Sequence, residues 1–240
     1  MMREYIKIKK PSSLPSYTHH LIELDDSLWK EWVNFHLLSF YKKYDKEELK
    51  ELINIESKKS HSRIEDEIAR YIRSYLKNDK QFCFQGFLAK GGVLNDEKVK
   101  GIYDVSILHS FWKNGTDEVC FDFECKNLDS TSDLVNKYVF YDKGKKNYDG
   151  GVYRYFNGKY AQNQNFGGMI GFILSGEIKS IKSSLFKKLN SKFDLSPEGD
   201  LKQIIENSIE ENEFTFDSIH NRSSNDFTLH HFLLDFTFSS

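Results

Sequence analysis

Between residues 62 and 77, SRIEDEIARYIRSYLK spaces Ile64, Ile68, Tyr71, Ile72 and Tyr75 at helical intervals, predicting an amphipathic helix with one face turned inward. Upstream, SLWKEWVNFHLLSFY predicts a helix opened by Asp26 or Ser27 as N-cap, and KEELKELINI continues as a further helical segment. THHLIEL, before them, reads as a short strand. After the amphipathic helix the period changes. QFCFQGFLAKGG and VKGIYDVSILHSF are aromatic and β-branched, bounded by Gly or Asn/Asp clusters, and read as strands. Asn114-Gly115 is a turn signal that returns the chain into EVCFDFECKNL, a third strand.

SDLVNKYVFYD reads as a helix after Ser132, and GGMIGFIL as a strand buried on both faces. Helices are predicted over 177–190 and 200–212, and the aromatic NDFTLHHFLLDFTF closes the sheet or pairs at its edge. This order predicts an α/β domain with a mixed central β-sheet flanked by helices. Residues 1–56 read as an N-terminal helical extension packed on a core domain of residues 57–240.

Composition narrows the class. A chain of 240 residues with 20 Phe, 13 Tyr and only 3 Pro can bury a large core and needs no staple. Its 3 cysteines show neither zinc spacing nor a redox pair, and the apolar run GGMIGFILSG is too short to cross a bilayer. The expectation is a cytoplasmic, soluble protein without a membrane partner. With 34 Lys and Arg against 36 Asp and Glu the net charge is −2, so any contact with nucleic acid must be local. EIKSIKSSLFKKLNSK supplies a basic helical face, Lys179, Lys182, Lys187, Lys188 and Lys192, which suits either phosphate contact or a solvated face with Ile178, Ile181, Leu185 and Leu189 inward.

The chemistry concentrates in FDFECKNLD. On a strand, Asp122, Glu124 and Lys126 share one face while Phe121, Phe123 and Cys125 take the other. In the preceding strand Ile102, Asp104 and Ser106 share a face. If the two strands pair through the Asn114-Gly115 hairpin, Asp104 approaches Glu124 across the ladder. Adjacent carboxylates repel unless a cation lies between them, and Mg²⁺ is bound in this way.

An acid on one strand and Glu-x-Lys on the next, after a helix that carries acids, resembles the PD-(D/E)XK nuclease superfamily, with its restriction-endonuclease-like fold. The resemblance spans roughly residues 60–176, with Asp104 as the first acid, Glu124 as the second and Lys126 as the lysine. It implies hydrolysis of phosphodiester bonds dependent on Mg²⁺ (or Mn²⁺), the metal held by Asp104, Glu124 and the main-chain carbonyl of Cys125. It also implies a helical acid, Glu65 or, second, Glu67, although Ser62-x-x-Glu65 reads equally as a capping box.

Beyond the motif, Arg154, Lys159 and Gln162 stand where such enzymes place phosphate-contacting residues, with solvated loop cations as the plain reading and Tyr160 as a packing residue. Tyr103 departs from the proline of the family's name, and the 19 residues between the acids leave the pairing register open. Acid-x-Lys also begins at Glu48, Glu56, Asp96, Glu177 and Asp200, so only its strand context singles out Glu124. The resemblance implies DNA as substrate, a setting in restriction or anti-phage defence, and a homodimer mate or helicase/ATPase-like subunit as partner. The alternatives are RNA cleavage and a non-catalytic nucleic-acid-binding or assembly subunit. His19-His20 and His230-His231 are adjacent pairs whose side chains diverge on a strand, so neither pair binds one ion, and no Walker A or dinucleotide loop occurs.

Overall fold

The computed structural model describes residues 26–59, 61–91, 93–94, 102–114, 117–140, 150–157, 159–161, 164–193, 199–209 and 212–238. The strand expected at THHLIEL, the Gly115 half of the turn signal, and Gln162 lie outside them.

Helices α1 (Asp26–Lys43), α2 (Lys46–Ser57), α3 (His61–Asn78) and α4 (Lys80–Phe84) come first. Strands β1 (Phe87–Lys90), β2 (Val93–Leu94), β3 (Ile102–Tyr103), β4 (Val105–Asn114) and β5 (Asp117–Leu128) follow, then α5 (Ser132–Val139) and a 3-10 turn at Val152–Tyr155. The chain ends with β6 (Phe166–Ile173), α6 (Ile178–Phe193), β7 (Asp200–Glu206), β8 (Thr215–Arg222) and β9 (Asn225–Asp235).

The protein is α/β: a 7-stranded sheet in the order β1-β4-β5-β6-β9-β8-β7, with β2 and β3 as a separate pair. It is mixed, because the central β5/β6 and β6/β9 pairs are parallel while the β1/β4, β4/β5, β8/β9 and β7/β8 pairs are antiparallel.

Two cores lie on opposite faces. Phe121, Phe123 and Cys125 of β5 pack with Trp29, Val33 and Leu37 of α1 and Ile64, Ile68 and Ile72 of α3. The other face of the central strands, with Met169, Leu229 and Leu233, packs against Val135 and Tyr138 of α5 and Ile181, Leu185 and Leu189 of α6. Every residue of β6 is buried, as a central parallel strand covered on both sides requires. α1 therefore shares one core cluster with the sheet, and the boundary expected after residue 56 falls one residue before the end of α2.

Three expected elements are corrected. Residues 81–84, read as the start of a strand, belong to α4, because the Asp79 carboxylate accepts from the N–H groups of Gln81 and Phe82 and caps a helical turn. Residues 200–206, read as a helix, form β7, an edge strand paired antiparallel to β8. Gly199 with φ +89° and Asn207 with φ 52° turn the chain at its two ends. The aromatic C-terminal segment, β9, lies inside the sheet between β6 and β8 rather than at its edge. Its apolar residues are buried because helices cover both faces.

Candidate active site

The β4/β5 ladder settles the register that brings the two acids together. Val105 pairs with Phe123, and Asp104 N–H donates to the Phe123 carbonyl at 3.2 Å, so Asp104 stands opposite Glu124. The long hairpin absorbs its length in a register shift between Leu108 and Lys113. Asp104 itself occupies the bend between β3 and β4. That bend is held twice: the Arg73 guanidinium of α3 donates to the Asp104 carbonyl, and the Asp104 Oδ2 accepts from the Cys125 N–H at 2.6 Å. Among the described residues the Asp104 Oδ1 accepts no hydrogen bond.

Glu124 is only 1 % exposed, yet both oxygens are engaged. Its Oε1 meets the Lys126 Nζ at 2.5 Å and the Arg154 Nη1 at 2.5 Å, and its Oε2 accepts from the Tyr160 hydroxyl at 2.7 Å. Such multiple charge-assisted bonds offset the cost of burying a carboxylate.

Lys126 links its own strand to α3. Besides Glu124, its ammonium donates to the Cys125 carbonyl at 2.6 Å and to the Glu65 Oε1 at 2.8 Å. Glu65 completes the link by accepting the Asn127 N–H on Oε2 at 3.0 Å. Ile64, Ile68, Ala69 and Ile72 bury the inward face of α3, which leaves Glu65 leaning over β5 with both oxygens committed to that strand. Glu67, the other helical candidate, pairs with Arg70 on its own helix.

The fields follow the geometry. Burial first, and then the Glu124 carboxylate, push the Asp104 carboxyl from 3.8 up to about 7. Burial alone would lower the Lys126 ammonium, but Glu124, Glu65 and Asp104 outweigh it and hold the group above its ordinary value. Burial and the Glu124 charge raise Tyr160, so its hydroxyl stays a donor. Asp122, opposite Ser106 on the ladder, is also buried and is pushed up to about 7, with Ser106 opposing the shift.

Asp104, Glu124, Cys125, Lys126 and Glu65 thus come together. Arg154, expected at a substrate phosphate, lies against Glu124 and the Tyr160 hydroxyl, the latter at 2.9 Å. Lys159 is half-buried, its backbone N–H donating to Asn157 Oδ1 at 3.2 Å. Gln162 is outside the described residues. The Cys125 thiol faces the opposite core, where burial raises it well above the ordinary thiol range. On α6, Lys182 is not on a solvated face: it is buried and bonds Glu206 at 3.2 Å and the Glu213 carbonyl at 3.0 Å. His230 and His231 diverge as expected, to Asp217 on one face and to Tyr138 and Ser218 on the other.

Two contributors were not legible. Arg73 lies on a helix whose sequence gives no sign of a strand partner, and Tyr160 looks like a core aromatic but spends its hydroxyl on Glu124. Tyr103, where the resemblance would put proline, packs its ring at a tilt against Tyr160 with centroids 4.3 Å apart and accepts the Ala161 N–H at 2.7 Å.

The donors suit a hard cation. The Lys126 ammonium is surrounded by oxygens of Glu124, Cys125 and Glu65, with Asp104 close enough to raise its basicity. The carboxylates of Asp104 and Glu124 and the Cys125 carbonyl are the oxygens here that could hold a hard cation such as Mg²⁺. Among the described residues no three acidic, histidine or cysteine side chains form a ready-made metal group, so the set depends on that main-chain oxygen. No family model, curated protein or solved structure matches the chain.

Proposed function

We propose that this protein is a metal-dependent nuclease of restriction-endonuclease-like fold that hydrolyses phosphodiester bonds of DNA. The observation that carries the reading is the meeting of Asp104, Glu124, Lys126 and Glu65 at one point, from a bend, a strand and a helix apart in sequence. A solvated strand face would not bury Glu124 to 1 % and commit both its oxygens.

Asp104, Glu124 and the Cys125 carbonyl would hold Mg²⁺ or Mn²⁺, which when bound activates water and screens charge on the phosphate. Lys126 sets an ammonium beside the point of attack, where it stabilises growing negative charge. Glu65 holds that ammonium in place, and Arg73 and the Cys125 N–H fix Asp104. Net charge −2 favours a second subunit, a homodimer mate or a helicase/ATPase-like partner, as the source of added affinity for DNA. Restriction or anti-phage defence is the setting this chemistry suits.

A second reading, a non-catalytic nucleic-acid-binding or assembly subunit, draws on one observation: two cations and a hydroxyl already saturate Glu124. Supercoiled plasmid given with Mg²⁺ or Mn²⁺ separates the two. The wild type is expected to cut only with metal, and Glu124→Gln and Lys126→Met to lose about 10²–10³-fold in rate. Equal cutting by all three would overturn the assignment, and binding without cutting by the wild type would favour the second reading. Single-stranded RNA in the same assay tests the nucleic acid.

A further inference from the structure

We infer that Arg154 is a latch that makes metal and nucleic acid bind cooperatively, an inference that rests on the nuclease reading. Glu124 Oε1 is shared by two cations, Lys126 at 2.5 Å and Arg154 at 2.5 Å, while Tyr160 takes Oε2 at 2.7 Å. A divalent ion approaching this carboxylate meets two positive charges and no uncommitted oxygen, so the latched site resists metal.

The two cations differ in what can draw them away. Lys126 has two further oxygen partners, Glu65 and the Cys125 carbonyl, and lies deep in the site. Arg154 rides on the 3-10 turn, donates also to the Tyr160 hydroxyl, and is the more exposed of the two cations, its side chain 25 % exposed against 14 % for Lys126. A guanidinium offers a planar fork to a phosphate and gains two parallel bonds there. A backbone phosphate therefore competes with Glu124 for Arg154, whereas Tyr160 stays on Oε2.

When Arg154 moves to the phosphate, Glu124 Oε1 loses one of its two cations and becomes a better metal ligand. Linkage makes the effect mutual: nucleic acid tightens metal binding, and metal tightens nucleic-acid binding by the same factor. The latch keeps the protein poorly loaded until a phosphodiester is present.

The test is Mn²⁺ affinity of the full chain by electron paramagnetic resonance, with and without a phosphorothioate-linked duplex, which keeps the charge and resists hydrolysis. In the wild type the duplex is expected to tighten Mn²⁺ binding by about 10-fold, within the usual range of such couplings. Arg154→Met is expected to bind Mn²⁺ about 10-fold more tightly on its own, with no further gain from the duplex. Arg154→Gln, neutral but still able to donate to Glu124, is expected to behave likewise and covers the chance that the Met variant misfolds. An Arg154 variant that binds Mn²⁺ no better than wild type, or that keeps the full duplex gain, overturns the latch while leaving the nuclease reading standing. Failure of every form to bind Mn²⁺ removes the nuclease reading and the latch with it.

Discussion

Asp104→Asn is expected to abolish metal-dependent plasmid cutting and, in metal-free buffer at pH 8, to unfold at a higher urea concentration than the wild type. Burial and the neighbouring Glu124 raise the Asp104 carboxyl from 3.8 to about 7, so ionising it in the folded protein is unfavourable. Between about pH 4 and 7 the folded state binds this proton more tightly than the unfolded state. The stability it contributes is therefore present at low pH and lost as pH rises through that window. At about 1.4 kcal/mol per unit, the full penalty at pH 8 is on the order of 4 kcal/mol. Asn keeps an oxygen for the Cys125 N–H but carries no charge, so the variant escapes the penalty, and its advantage should vanish as pH approaches 4. On the nuclease reading the loss in cutting is expected to be about 10²–10³-fold or more, since the substitution removes one of the two carboxylates that would hold the metal.

The second large effect lies away from the site, in a buried chain of hydrogen bonds between α5 and the β8/β9 hairpin. His220 Nδ1 lies 2.7 Å from the Gly199 carbonyl, which can only accept, so Nδ1 carries the proton. Its Nε2 then accepts from the Ser218 hydroxyl at 2.8 Å. Ser218 in turn accepts from His231 Nε2 at 2.8 Å, and His231 Nδ1 accepts from the Tyr138 hydroxyl at 2.9 Å. Every proton is assigned, both imidazoles are neutral, and a proton added to either one breaks the chain.

Burial lowers His220 to about 4, against support from Gly199 and Asp200, and pushes His231 well below its ordinary 6.5. For a histidine depressed on folding, the unfolded chain binds the proton first. The His220 contribution is present above pH 6.5 and lost as pH falls toward 4, on the order of 3 kcal/mol. Asp104 and Asp122, both near 7, shift stability the opposite way over the same range, so the wild-type profile alone is not diagnostic. His220→Phe isolates the term: it is expected to be less stable than wild type at pH 7, yet to lose less, by about 3 kcal/mol, between pH 7 and 4 in urea titrations. Parallel profiles would contradict the neutral, proton-ordered chain.

Sequence periodicity made the helical layer and the central strands legible, because α3 and β5 carry unbroken patterns of 3.6 and 2. It failed where local chemistry or sheet position overrode the pattern. Asp79 caps a helix that Phe82 and Phe84 disguised as strand, and β7 places charges on both faces of an exposed edge, which mimics a polar helix. Lys182 looked like one of five surface lysines because its acceptors, Glu206 and the Glu213 carbonyl, come from residues folded back across α6.

The candidate site divides in the same way. Asp104, Glu124 and Lys126 could be aligned from alternation and one hairpin, since ladder register converts local pattern into contact. The family resemblance, rather than any local signal, pointed to Glu65, 61 residues from Lys126. The grip of Arg154 and Tyr160 on Glu124 spans 30 and 36 residues and depends on how the segment before β6 folds back, which no periodicity encodes.

The central claim is that Asp104 and Glu124 share a divalent cation. Crystals grown or soaked with Mn²⁺ and measured at an anomalous wavelength test it directly. The account predicts one ordered Mn²⁺ with the Asp104 carboxylate, the Glu124 carboxylate and the Cys125 carbonyl among its ligands, and no such ion in Asp104→Asn. A site left without Mn²⁺ in the wild type, with Lys126 and Arg154 still on Glu124 in the presence of metal and duplex, would contradict it.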